Sequence, residues 1–140
     1  TRLPQIAAQE ALRAVERNNW SIGDTQLLIA AHGSAQGKAA ARSARLFSDR
    51  LAKILPSAGI TIGFVEEAPF LNKAAADLGN TALCMPFFAM EGEHVRDDIP
   101  EALDEAGFRG IVLPPFGQYN GIAKLIAETL SVELAEGKAA

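Results

Sequence analysis

The feature that most constrains how this chain folds is a short apolar run without alternation, Gln26-Leu27-Leu28-Ile29-Ala30-Ala31, which stops at His32-Gly33-Ser34. A strand with one wet face alternates apolar and polar residues, so a strand with no polar face must be covered on both sides. The sequence supplies the cover. From about residue 38 to 55, Ala40, Ala44, Phe47, Leu51 and Leu55 recur at four, three, four and four, a helical period closed by Pro56 and Gly59. Ile60-Thr61-Ile62-Gly63-Phe64-Val65 then reads as a second strand running into Glu66-Glu67. The unit repeats with a helix over 69–78, carrying Leu71, Ala74, Ala75 and Leu78 on one side, and a third strand over 81–87. A helix opens near Asp98-Ile99-Pro100, where Pro100 suits a first turn and Asp98 stands close to the cap. A fourth strand over 110–113 precedes a last helix carrying Ile122, Leu125, Ile126, Thr129 and Leu130.

Strand followed by helix, four times, predicts an α/β fold: a three-layer sandwich with a four-stranded parallel sheet and right-handed crossovers. At 140 residues there is room for one substantial core. Residues 25–136 are expected to form that single domain, and 137–140 a frayed end. Residues 1–24 form an accessory helix or linker. Pro4 suits the first turn, and Trp20 and Ile22 offer an anchor that favours a packed helix. A beginning at Thr1 rather than methionine leaves open processing or membership of a longer protein.

Composition removes several classes of function. Thirteen basic against seventeen acidic residues give a net charge of −4, which speaks against a nucleic-acid coat or a polybasic membrane binder. No run is long and apolar enough to span a bilayer, and the mixed, charged first residues are not a signal peptide. The single cysteine, Cys84, excludes an internal disulfide and a thiolate metal cluster, and fits a reducing cytoplasm. Lying within an apolar strand, it reads as a small core residue.

In an open parallel sheet the loops leaving the C-terminal strand ends share one rim, where ligands bind. Here those loops carry His32, Glu66-Glu67, Glu91-Gly92-Glu93-His94 and residues 114–118, so both histidines of the chain fall on the rim. A neutral imidazole there can accept a proton or hold a divalent metal near neutral pH. Adjacent strand residues face opposite ways, so one of Glu66 and Glu67 is expected in the crevice. Phe87, Phe88, Met90, Pro115, Phe116 and Tyr119 could line an apolar slot for a flat conjugated ligand. Lys38, Arg42 and Arg96 lie near enough in sequence to meet acidic groups on it. Other chemistries fail on spacing. Gly33-Ser34-Ala35-Gln36-Gly37-Lys38 is one residue short of a phosphate loop, with Ala39 where a hydroxyl would hold magnesium. Neither a dinucleotide fingerprint nor a nucleophile elbow is present.

Taken together, Leu27 to Ser34, Phe64-Val65-Glu66, and the run Pro86-Phe87-Phe88-Ala89-Met90-Glu91-Gly92-Glu93-His94-Val95-Arg96-Asp97-Asp98-Ile99-Pro100 resemble the short form of the CbiX/SirB sirohydrochlorin chelatases. Leu113-Pro114-Pro115-Phe116-Gly117 is similar to the turn before that family's last helix, and the resemblance spans about residues 25–134. It departs from the pattern at Glu93, where relatives often carry glycine, and after Ser34. The resemblance implies insertion of Co(II) or Fe(II), as substrate, into a tetrapyrrole during cobalamin or siroheme biosynthesis, with no organic cofactor. It implies that His32 and His94 face the metal and macrocycle and that Glu66 assists; Ser34, Phe88, Met90, Arg96 and Phe116, on the same rim, are expected to contact the substrate. Longer chelatases resemble two such domains fused, so a homodimer sharing one cleft is expected. The alternatives are a non-catalytic tetrapyrrole- or metal-binding domain, and another α/β enzyme such as a phosphatase-like protein.

Overall fold

A computed structural model describes residues 2–87 and 97–115. Strand β1 (Gln26–Ala31) lies inside a parallel sheet, with β2 (Gly59–Phe64) on one side and β3 (Ala82–Pro86) followed by β4 (Ile111–Val112) on the other. Leu27 to Ala31 are all buried, as a strand without a polar face requires. Its side chains divide between two cores. Leu27 and Ile29 join Leu83 and Met85 under α1 (Leu3–Arg17) and α2 (Ala39–Ile54), while Leu28 and Ala30 join Cys84 under α3 (Leu71–Ala76) and α4 (Ile99–Ala106). This is the three-layer α/β sandwich predicted from the sequence.

The helices form where their apolar stripes meet the sheet. On α1, Ala7, Ala11 and Ala14 are fully buried, and Trp20 and Ile22 beyond it pack on the same cluster. Small side chains let this helix lie close to α2, because no bulk separates the backbones. The buried stripe of α2 runs through Ala41, Ala44, Phe47, Ser48 and Leu51. Ala40, expected on that stripe, is exposed, and Ala41 takes its place.

Some element ends fall elsewhere than the sequence pattern predicts. Strand β2 ends at Phe64, so Val65 lies beyond it. Helix α3 starts at Leu71 because Pro69 still belongs to the preceding bend, its carbonyl accepting the Phe64 N–H at 2.8 Å. Asp98 occupies the cap position of α4 without a side-chain capping hydrogen bond. That helix ends on Gly107, left-handed at φ 71°, with the Phe108 N–H bonded back to the Leu103 carbonyl at 3.0 Å. The expected last helix and the C-terminal end at 137–140 lie outside the described residues.

The strand order places the site. The chain leaves β1 for β2 on one side, then crosses to β3 on the other, so the direction of winding reverses between β1 and β3. Crevices at such a switch point are where open α/β sheets bind ligands. Ala30 pairs in register with Pro86, so His32 and Phe87 follow the ends of neighbouring strands.

Cys84 is fully buried in β3, and burial pushes its thiol up from 9.0 to about 12. The unfolded chain therefore loses this proton near pH 9 while the folded chain keeps it. The resulting stabilisation is complete below pH 9 and declines as pH rises towards 12. We expect the urea midpoint to fall above pH 9 less steeply for Cys84→Ala than for the wild type, and the native thiol to resist aromatic disulfide reagents at pH 8. Parallel declines in both proteins would contradict this.

Candidate functional site

Backbone hydrogen bonding continues past the end of β1. The Val65 N–H donates to the Ala31 carbonyl at 3.0 Å and the Glu66 N–H to the His32 carbonyl at 2.9 Å, while the Phe87 N–H donates to the Ala30 carbonyl at 2.7 Å. His32 is thus held from the β2 side as firmly as a strand residue, although it lies beyond the strand.

Its imidazole is held as well. Nδ1 lies 2.9 Å from the Gly33 carbonyl oxygen. A carbonyl only accepts, so Nδ1 carries a proton and, in the neutral ring, the lone pair resides on Nε2. Nε2 faces Glu66 Oε1 at 3.7 Å, with the two side chains 37% and 45% exposed. That spacing suits an ion pair once the ring is protonated, with Nε2 itself shielded from solvent although the ring and the carboxylate are half-exposed. The pair can take up a proton or offer a nitrogen and an oxygen donor to a cation.

Glu67 also reaches this site. Its Oε2 accepts the Ser34 N–H at 2.6 Å, and its side chain lies against Gly33. Gly33 is left-handed at φ 71°, and a Cβ there would sit 2.9 Å from both Glu67 Cγ and Oε2, and 3.0 Å from the Phe64 ring. Only glycine fits that turn without displacing the carboxylate. The expectation that a single glutamate enters the crevice is therefore corrected. Alternation of faces holds only within a strand, and β2 stops at Phe64, leaving 65–69 in a bend that turns both carboxylates towards the His32–Ser34 loop. The sole sequence signal for Glu67 was its adjacency to Glu66.

The remaining expected residues divide three ways. Ser34 is at the rim, its Oγ accepting the Gln36 N–H at 3.1 Å, which leaves the hydroxyl proton to donate elsewhere. Phe87 packs inward, its ring centroid 4.9 Å from that of Phe47, rather than lining a slot. His94, Phe88, Met90, Arg96 and Phe116, with Glu91, Glu93 and Tyr119, lie outside the described residues. Among the described residues no three histidine, cysteine or carboxylate side chains gather as a metal-holding group.

Basic side chains flank the carboxylates. Lys38, Arg42 and Arg45, on the first turns of α2, line an open groove of about 380 Å³ with Ala41 and Glu67. An adjoining hollow of about 470 Å³ is lined by 34–38 and 66–68. Sequence reasoning reached Lys38 and Arg42 but not Arg45, whose guanidinium lies 5.5 Å from the centroid of the Phe64 ring.

A parallel α/β domain with a histidine and two carboxylates at its switch-point rim belongs with ligand-binding open-sheet proteins. Its family is more specific. Residues 26–133 match the family model CbiX, and the chain belongs to the CbiX family. Among solved structures it is similar to CbiX described as the terminal enzyme for siroheme biosynthesis in denitrifying bacteria, at 42% identity and a TM-score of 0.87. That match covers 94% of this chain and 57% of the other, so this chain spans little more than half of that protein's length. A protein of Marinobacter aquaeolei VT8 named for CbiX and cobalamin (vitamin B12) biosynthesis shares the fold at 20% identity and a TM-score of 0.60, over 80% of this chain and 98% of that one. A multi-domain protein of Deinococcus radiodurans with structural similarity to chelatases shares it at 20% identity and a TM-score of 0.60, over 88% of this chain and 28% of that one. No curated protein matches the chain significantly in sequence.

The Gly33 turn can be tested directly. Gly33→Ala should lose roughly 1–2 kcal/mol of stability from the left-handed backbone, read by urea unfolding, and should displace Glu67 from the Ser34 N–H. Unchanged stability together with an unchanged Ser34 amide resonance would refute the assigned turn.

Proposed function

We propose that the protein is a metallochelatase of tetrapyrrole biosynthesis that inserts Fe(II), or Co(II) as a second metal, into sirohydrochlorin. The observation that carries the reading is the His32 imidazole, fixed through Nδ1 with Nε2 towards Glu66, at the rim of a CbiX-family chain. The 42% identity to a siroheme-biosynthesis CbiX favours iron, because siroheme is an iron tetrapyrrole.

Insertion exchanges two pyrrole protons for one dication, so the reaction needs a base close to the ring centre and a route by which protons leave. His32 Nε2 serves as that base or as a transient ligand to the metal substrate. Glu66, 3.7 Å away, pairs with the imidazolium and passes its proton to solvent. We assign His94 the matching task towards the metal and the macrocycle. Ser34, Phe88, Met90, Arg96 and Phe116 are proposed to contact the macrocycle, and Lys38, Arg42 and Arg45 its acidic arms. No organic cofactor enters this scheme.

One four-stranded sheet offers a single wall, with strands about 4.8 Å apart, to a ring several strands wide. We therefore propose that a second copy supplies the facing wall, as a homodimer. The reducing cytoplasm is the compartment proposed, on the single buried Cys84. Among the described residues no helix is long and apolar enough to cross a membrane.

Incubation with sirohydrochlorin and Fe(II) or Co(II), followed by absorption against a protein-free control, tests the activity. Insertion should exceed the control, and His32→Ala and His94→Ala should each lower kcat by roughly a hundredfold or more. A rate equal to the control would remove the chelatase reading. The double variant Lys38→Ala/Arg42→Ala should instead raise KM roughly several-fold, as expected for exposed ion pairs, with an effect that shrinks in high salt. In solution the mass should correspond to two chains. A monomer both with and without tetrapyrrole would rule out the shared cleft.

A further inference from the structure

One peptide unit joins Glu67 to His32. The Gly33–Ser34 peptide presents its carbonyl to His32 Nδ1 at 2.9 Å and its N–H to Glu67 Oε2 at 2.6 Å. We infer that Glu67 is a positioning residue that acts through this peptide to fix the ring orientation and tautomer of His32. The inference concerns the same site as the chelatase reading, but its structural content does not depend on that reading.

Three features carry it. The peptide is free to rotate unless something holds both of its ends, and the left-handed Gly33 supplies a backbone that no strand ladder fixes. Glu67 grips the N–H end with a short, charge-assisted hydrogen bond. A carboxylate on a peptide N–H also polarises the amide, making the carbonyl at the other end a stronger acceptor. The carbonyl then holds the proton on Nδ1, so the neutral ring presents its Nε2 lone pair towards Glu66. With the opposite tautomer Nε2 would carry the proton and could neither bind a cation nor accept a pyrrole proton. Glu67 touches neither the imidazole nor, in this scheme, the reacting atoms. Gly33 is required for the same reason, since a side chain there would occupy the place of the Glu67 carboxylate.

The test uses the full chain labelled with ¹⁵N-histidine, free of metal and tetrapyrrole, at one alkaline pH where the rings are neutral. His32→Ala assigns the resonances. Wild-type His32 should give ring nitrogen shifts of the Nδ1–H tautomer. Glu67→Ala should move them towards the Nε2–H values of free imidazole in water. Glu67→Gln, which keeps an oxygen acceptor but no charge, should fall between the two. Unchanged shifts in both variants, with circular dichroism showing each folded, would overturn the inference, as would an Nε2–H tautomer in the wild type. In the insertion assay Glu67→Ala should lower kcat by roughly ten- to a hundredfold, the usual cost of losing a group that orients a ligand, with KM for the tetrapyrrole little changed. Glu67→Gln should recover part of that loss. A rise in KM alone would also overturn the inference, because it would make Glu67 a substrate contact. A wild type that inserts no metal yet shows the tautomer series would remove the chelatase reading and leave this inference standing.

Discussion

The rest of the molecule depends on the complete burial of β1. A strand hydrogen-bonded on both edges and apolar on both faces can be satisfied only by a sheet neighbour on each side and a helical layer above and below. That requirement sets the strand order, draws α1 and α2 to one face and α3 and α4 to the other, and brings the winding reversal beside His32. The last residues of β1 matter as much as the first. Ala31 is small, and the room it leaves near the rim is taken by Phe64 with Ala41 and Ala44, with Phe87 packed alongside. Phe64 then carries Arg45 over its ring and limits the space at Gly33, so the aromatic floor under the site follows from the small residue at the strand end.

Charge on the molecule is distributed against its total. The chain is −4 overall, yet the opening turns of α2 hold Lys38, Arg42 and Arg45 with no acidic residue in the first turn. Cations at a helix N-terminus oppose the helix dipole, where carboxylates would stabilise it. The Glu67 carboxylate lines the same groove and offsets part of that cost. Under the proposed chelatase function a polycarboxylate macrocycle would offset more of it, which net charge alone does not indicate.

What could be read from the sequence followed from periodicity. The alternation-free run of β1 and the 3.6-residue stripe of α2 gave the layers, because burial on two faces or on one leaves a direct mark on residue order. The misreadings fall where backbone geometry changes without a mark in composition. Ala40 and Ala41 are chemically identical and both fit the spacing to Ala44, so residue order does not choose between them; the packing of α2 on the sheet buries Ala41. Glu66 and Glu67 read as strand neighbours because Val65 is as good a strand former as Phe64. The strand in fact ends at Phe64, whose N–H turns to Pro69, and no pattern in the residues announces that turn. His32 was legible because a histidine ending an apolar strand has few places to go. Its tautomer was not, since that rests on a hydrogen bond to its own neighbour's carbonyl.

The early end of β2 also explains how two adjacent carboxylates share one imidazole without defeating each other. Two glutamates facing the same nitrogen would repel, and one would be driven to hold a proton. The bend at 65–69 separates them. Glu66 stays exposed and 3.7 Å from Nε2, where it can pair with a transient positive charge and exchange with water. Glu67 turns inward onto a backbone N–H, where its charge is neutralised by a dipole rather than by the ring. One carboxylate therefore meets the imidazole at the nitrogen that changes state, and the other reaches it through a peptide at the nitrogen that does not. Such a division requires the chain to leave the strand register before Glu66, since in a continuing strand Glu67 would have pointed to the opposite face.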